Sequence, residues 1–226
     1  MKQQFSDPIQ RRRNLVMLFG ILCIGISVGF YRLGCLGVDA GTCMVLGMSF
    51  LAGMSHGTMN VIVNVLILLV MICYMRRIIG AGTIINFLLV GYIADFVCWF
   101  IQDVCSVGND LWIRLIWFGI AIGLSTFGAA IYIDADKGIA PYDALSLMLQ
   151  KKCPKLSFRF ARVIVDVTSV MIGVACCLLA GRNLSLVIGL GTVVTAFLTG
   201  YIVHFFRQKV SPLFLPFLKT KPESFG

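Results

Sequence analysis

Six stretches of this chain are so long and apolar that a lipid bilayer is the solvent they fit. They run approximately over Asn14–Gly34, Met59–Met75, Gly80–Gln102, Trp112–Tyr132, Arg162–Ala180 and Gly189–Phe206. A helix crosses the hydrocarbon with about 20 residues, and runs longer than roughly 18 residues with few charges read as spans. Inside lipid every backbone N–H and C=O must find its partner within the segment, so each run is a helix. Hydrophobic residues make up 59% of the chain and charged residues 13%, where a soluble domain carries about a quarter charged. The expected fold is an all-α membrane protein with six transmembrane helices.

The formal net charge of +9 raises the question of nucleic acid, and the placement of the basic residues answers it. Lys2 and Arg11 to Arg13 precede the first run, and Arg76 and Arg77 follow the second. Lys137, Lys151, Lys152, Lys155, Arg159 and Arg162 lie between the fourth and fifth, and Arg207, Lys209, Lys219 and Lys221 follow the sixth. All of these fall on one side, leaving Arg32, Arg114 and Arg182 on the other. The positive-inside rule then places both termini in the cytoplasm. The basicity is topology, and no nucleic-acid partner is expected. Arg11 to Arg13 before an apolar run imitates a signal peptide, but Tyr31, Arg32 and Leu33 stand where small cleavage-site residues belong. The first run is read as a retained helix.

The nine cysteines include no CxxC pair, and the two histidines, His56 and His204, are far apart. Neither a metal site nor a cofactor is expected from that spacing. No phosphate-binding loop or nucleophile–base motif occurs, so the sequence reads as a non-enzyme.

One helix is written twice. GAGTIINFLLVGYIADF from Gly80 faces GLGTVVTAFLTGYIVHF from Gly189, with all three glycines, the threonine and the Gly-Tyr-Ile triplet shared. Upstream, NVIVNV from Asn60 faces RVIVDV from Arg162, an offset of 102, and FGI at Phe19 faces FGI at Phe118, an offset of 99. The chain therefore divides into a cytoplasmic segment (1–13), two three-helix repeats (14–106 and 107–209) and a cytoplasmic tail (210–226). Three spans per repeat is an odd number, so the copies enter the membrane from opposite sides. Inverted-topology repeats of this kind are common in secondary transporters, although gene duplication also builds membrane proteins with no transport cycle.

Glycine pairs such as Gly25/Gly29 and Gly119/Gly123 have the spacing that lets helices approach closely. Gly80, Gly82, Gly189 and Gly191 read as packing positions at helix starts, and Thr83 and Thr192 as donors to a carbonyl in the preceding turn. Between the first and second spans of each copy lies an apolar segment too short to cross. CLGVDAGTCMVLGMSFLAGMSHG from Cys35 and KGIAPYDALSLMLQ from Lys137 each open on a glycine turn followed by an acidic residue. These are short re-entrant or interfacial helices. Pro141 suits the first helical turn, with Asp143 at the positive end of the helix dipole. Asp39 is the matching cap.

The doubled combination of a glycine–acidic turn, the basic pair Arg76–Arg77 and the G-x-G-T…G helix resembles the YczE/YyaS/YitT membrane proteins of bacteria, from about Phe19 to Phe206. The YczE branch is the nearer, because YitT-type members carry a soluble C-terminal domain. The first copy has Ala40–Gly41 where a proline–aromatic pair, Pro141–Tyr142 in the second, is more typical. The resemblance implies a multi-pass protein of the bacterial plasma membrane, with transport or an accessory role in secretion or biosynthesis.

Polar residues at membrane depth are costly unless they face protein or water. Asn64 and Asp166 are equivalent in the repeat, as are Asn60 and Arg162. Arg162 and Asp166 are one turn apart and can pair. Asp95 and His204 are a further equivalent pair. Asn64, Asn86, Asp95 and Asp166 are candidates for a polar cavity; with Asp39, Pro141, Tyr142, Asp143, Arg162 and His204 they form the candidate substrate or ion pathway. The function this supports is transport of a small molecule or ion. The alternatives are a non-transporting regulatory protein and a substrate-capture subunit of a larger transporter. The expected partners are the lipid bilayer, an unidentified small-molecule or ion ligand, and a second copy or another membrane protein.

Overall fold

The computed structural model describes residues 8–104, 110–153, 155–156 and 158–209, without the side chains of Pro8, Arg77, Asp103, Val104, Phe158, Arg159 and positions 196–198, 200, 201 and 204. The protein is built from eight described helices: α1 (Pro8–Gly34), α2 (Ala40–Ala52), α3 (His56–Tyr74), α4 (Ala81–Trp99), α5 (Leu111–Ala135), α6 (Pro141–Lys152), α7 (Phe158–Leu179) and α8 (Leu190–Lys209). A π turn, Phe100–Val104, continues α4. No strand occurs among the described residues. Five helices are long and apolar enough to cross a membrane: Ile9–Gly34, His56–Tyr74, Ala81–Gln102, Leu111–Ala135 and Phe160–Leu179. The run expected to be the sixth span lies in α8, which is 20 residues long and ends on Arg207 and Lys209.

α1 and α5 form the centre of the bundle, and they run antiparallel. Gly20 sits against the Gly128 carbonyl and Gly128 against the Gly20 carbonyl, while the Arg114 guanidinium caps the other end by donating to the carbonyls of Gly34 (2.8 Å) and Cys35 (2.7 Å). α4 lies along α1 in the same direction, with Gly25 against Ile93 and Gly29 against Val97. α8 lies along α5, with Gly191 against Phe118 and Phe206 edge-on to Phe127. The Gly25/Gly29 spacing is therefore a helix contact, as expected. Gly119 and Gly123 differ: a side chain at either would meet nothing within 4 Å. The end of the bundle where α1 finishes and α5 begins is called the upper end below, and the other the lower.

Two turns with left-handed residues close α1 and α5. Cys35 (φ 47°) and Gly37 (φ 110°) follow α1, and Asp136 (φ 51°) and Gly138 (φ 122°) follow α5. These turns correspond at an offset of 101, which also brings Tyr31 onto Tyr132. The FGI match at an offset of 99 is thus two residues out of step with the backbone. Each turn docks on the first residues of a helix from the other half of the chain. Gly82 N–H donates to the Lys137 carbonyl (2.9 Å) and Gly191 N–H to the Leu36 carbonyl (2.7 Å). A side chain at Gly80 or Gly189 would run into the same two carbonyls. The G-x-G-T motif is therefore a docking seat. Thr83 Oγ1 accepts from Gly80 N–H (3.2 Å) and donates to the Ile139 carbonyl (2.9 Å), reaching across the seat rather than back along its own helix. Thr192 Oγ1 likewise accepts from Gly189 N–H (3.3 Å).

The short helices meet head to head. The Tyr142 ring, in the first turn of α6, would lie 3.4 Å from a side chain at Gly41, in the first turn of α2. From that meeting point α2 runs upward along α7, where Gly47 and Gly173 touch backbone to backbone, and ends near Phe50 beneath Arg182. α6 runs downward to Lys151, whose ammonium reaches the Tyr74 carbonyl at the end of α3 (3.2 Å). The depth of the meeting point follows from Tyr142, which bonds Asp166 and Ser169. Those residues stand eight and eleven positions into α7, about 12–16 Å along a helix rising about 1.5 Å per residue. The two N-termini meet near mid-bundle.

Candidate functional site

Asp39 and Asp143 look alike in the sequence and differ in the fold. Asp39 is the N-cap of α2: its carboxylate accepts from Thr42 N–H (3.1 Å) and from Thr42 Oγ1 (2.7 Å). Capping accounts for both oxygens. Ala140 holds the corresponding cap position of α6, Pro141 begins the helix, and Asp143 is its third residue, still in the first turn. The Asp143 carboxylate is therefore released from capping and forms an ion pair with Arg162 on α7.

Arg162 also reaches Asp166, Nε to Oδ2 at 3.3 Å, so the expected pairing one turn apart is present. Its guanidinium lies 5.1 Å from the Tyr142 ring centroid. The Tyr142 hydroxyl donates its one proton to Asp166 Oδ1 (2.7 Å), and Ser169 Oγ, 3.2 Å from the phenol oxygen, completes the contact. Asp143, Arg162, Asp166, Tyr142 and Ser169 are one connected cluster, with one guanidinium serving two carboxylates. Side-chain exposures of 36% for Arg162, 39% for Asp143 and 33% for Asp166 leave it open to a ligand or a proton. Ser146, one turn below Asp143, is buried, and neither its hydroxyl nor that of Tyr132 on α5 has a partner among the described residues.

On α3 the equivalent positions are uncharged and structural. Asn64 donates to the Asn60 carbonyl (2.8 Å) and to Asn60 Oδ1 (2.9 Å), and Asn60 donates to the Phe87 carbonyl on α4 (3.0 Å). Asn86 is buried on α4. The charged cluster has no charged counterpart in the first half.

Asp95 stands apart from that cluster, at the upper end. It accepts from Arg32 at the end of α1 (2.6 Å) and from Gly57 N–H at the start of α3 (2.6 Å). It thus joins three helices rather than facing lipid headgroups. A second ion pair, Arg207 on α8 with Asp134 at the end of α5 (3.0 Å), sits at the lower end. Each pair ties the end of the first long helix of a half to the last helix of that half, with the two signs exchanged. The side chain of His204, the residue equivalent to Asp95, lies outside the described set.

Sequence reading missed Arg32 and Ser169. Ser169 had a signal, because it lies on the Asp166 face of α7. Arg32 was counted for topology, and nothing local links it to a carboxylate on α4. No group of three or more His, Cys, Asp or Glu side chains among the described residues can hold a metal ion.

Long apolar helices and two head-to-head half-length helices beside a charged cluster define an integral, multi-pass, all-helical membrane protein. Residues 11–208 match the model of a family of unknown function, DUF6198, and the chain belongs to that family. The chain is 25% identical to the uncharacterized protein YyaS of Bacillus subtilis over 210 residues, covering 87% of this chain and 92% of YyaS. It is 26% identical to an uncharacterized protein of Haemophilus influenzae over 198 residues, 88% and 84% of the two chains. It is 25% identical to the uncharacterized membrane protein YczE of Bacillus subtilis over 153 residues, 68% and 65%. These relatives agree with the resemblance drawn from the doubled motifs. No solved structure matches.

Proposed function

We propose that this chain is a secondary-type transporter of the bacterial plasma membrane, moving a small molecule or ion by alternating access between two inverted three-helix halves. The observation that carries the reading is the head-to-head meeting of α2 and α6 at mid-bundle, beside the Asp143–Arg162–Asp166 cluster. In inverted-repeat transporters, half-length helices place their positive N-termini at a midplane site, and broken backbone is tolerated only where it faces protein or a cavity. The reciprocal docking of the Leu36 and Lys137 turns, and the sign-exchanged ion pairs at the two ends, support the inverted repeat. α8 is the sixth span, and α2 and α6 are re-entrant. The upper ion pair closes the outer side and the lower pair the cytoplasmic side; a cycle opens one while the other holds.

The test is flux through purified, full-length protein in liposomes, with a pH-reporting dye inside and solutes added outside. A saturable, protein-dependent uptake or pH change for one solute class is the expected result. A reconstituted, correctly folded protein that moves nothing across a broad solute panel would return it to the accessory and capture readings.

Orientation has its own test. Cys153 is exposed near the lower end, and it is expected to react with an impermeant maleimide only after cells are permeabilised. A Ser55→Cys variant, in the exposed turn before α3, is expected to react on intact cells. The reverse pattern at both positions would invert the topology. Cys105, the native upper-end candidate, lies outside the described residues.

A further inference from the structure

A cavity of about 150 Å³ opens at the upper end between α1, α2, α4 and the turn before α8, lined by Arg32, Cys35, Leu46, Phe50, Cys98, Gln102 and Leu186. It is separate from the Tyr142 cluster, and none of the candidate pathway residues lines it. Its polar lining is mostly donor in character. The Arg32 guanidinium carries five N–H donors, and among the described residues Asp95 takes a bond from Nη1 alone. The Cys35 and Cys98 thiols are turned to backbone carbonyls, of Arg32 (3.2 Å) and Gly29 (3.6 Å). What remains for a guest is the rest of the guanidinium fork and the Gln102 amide, with Leu46, Phe50 and Leu186 as apolar walls.

The other two upper-end arginines flank the same place. Arg114 sits on the carbonyls of Gly34 and Cys35, and Arg182 lies 5.7 Å from the Phe50 ring centroid. Asp95 offsets the charge of Arg32, and the other two guanidinium groups add a positive field that draws anions. On α3, next in the chain to the Gly57 whose N–H holds Asp95, His56 Nδ1 is buried without a partner among the described residues.

From this geometry we infer that the cavity is the outer binding site for a small monocarboxylate, a ligand class that rests on the transport reading for its purpose but not for its chemistry. A planar guanidinium matches two carboxylate oxygens in a way it does not match a halide. A cavity of about 150 Å³ is large enough for a benzene-sized guest, so an acid of two to four carbons fits. The alkyl end meets Leu46, Phe50 and Leu186; the carboxylate meets Arg32 and Gln102.

The test is binding to the full chain in detergent, with sodium propionate as the probe. Propionamide is the uncharged isostere, and sodium chloride controls ionic strength. Propionate is expected to raise the melting temperature saturably, while propionamide and chloride leave it unchanged. It is also expected to slow alkylation of Cys35 by N-ethylmaleimide, read by peptide mass spectrometry, which locates the site. Gln102→Leu removes one donor without touching the ion pair and is expected to weaken propionate about tenfold, or about 1.4 kcal/mol. Arg32→Gln combined with Asp95→Asn removes both charges together, so no unpaired partner is left, and is expected to abolish the shift. Equal shifts with propionate and propionamide, no shift with propionate, or a shift that survives the double variant would each overturn the proposal. Binding without flux in liposomes would sink the transport reading and leave this site standing. Flux without propionate binding would do the reverse.

Discussion

Gly47→Val is expected to leave the protein unable to reach a detergent-stable fold, whereas Gly123→Val folds and melts within about 3 °C of the wild type. Both positions are helical glycines in apolar surroundings, so local propensity treats them alike and slightly favours valine. Packing separates them. A side chain at Gly47 runs into the Gly173 backbone, and one at Gly173 would run into the Cys43 carbonyl. The obstacle is backbone, which cannot change rotamer, so α2 and α7 must separate. Separation opens the cluster that joins Cys43 and Leu46 to Cys177 and Val187, with Val170 packed beside it. Overpacking against movable side chains costs about 1–3 kcal/mol, and a rigid obstacle costs more. At Gly123 nothing lies within 4 Å. The readout is the monodisperse fraction after extraction, followed by thermal unfolding. If Gly47→Val is as stable as Gly123→Val, then α2 does not lie on α7.

The helices were legible because a bilayer leaves an apolar run one regular option. What each helix touches was not legible, and the G-x-G-T motif is the clearest instance. Its glycines read correctly as packing positions, but the group packed there is a turn from the other half: Lys137 on Gly80 and Gly82, Leu36 on Gly189 and Gly191. No local pattern encodes a partner more than fifty residues away. The two acidic turns teach a finer lesson. Asp39 stands two residues after its left-handed glycine and Asp143 five after its own. That spacing decides which carboxylate caps and which is free, and it was readable in advance. The Arg162–Asp166 pair was legible because helix periodicity puts both on one face. Its extension to Asp143 and Tyr142 needed α6 to reach mid-bundle, a tertiary fact. Arg32–Asp95 was hidden for the same reason, since its two ends are 63 positions apart.

The cluster around Arg162 makes the second large prediction, and it separates structure from function. Arg162→Gln leaves the Asp143 and Asp166 carboxylates side by side without their shared cation. Breaking a buried pair by removing one partner costs about 3–5 kcal/mol; side-chain exposures of 33–39% move the expectation to about 2 kcal/mol, because solvent screens what remains. Adding Asp143→Asn and Asp166→Asn to Arg162→Gln removes the repulsion, and the neutral triple variant is expected within about 1 kcal/mol of the wild type. That recovery is the non-additivity expected of residues in one network. Asp143→Asn alone keeps the side-chain shape and costs little stability, about 1 kcal/mol or less, because it sits outside the cap position and its ion pair is partly solvated. Asp166→Asn copies the residue that Asn64 supplies in the other half and is the matched control. If the cluster handles a ligand or a proton during the cycle, Asp143→Asn and the triple variant melt normally and carry no flux. Stability measured by thermal unfolding and flux measured in the same liposome preparation then move independently. A triple variant that recovers flux along with stability would assign all three charges to the scaffold and leave the meeting point of α2 and α6 without a chemical role.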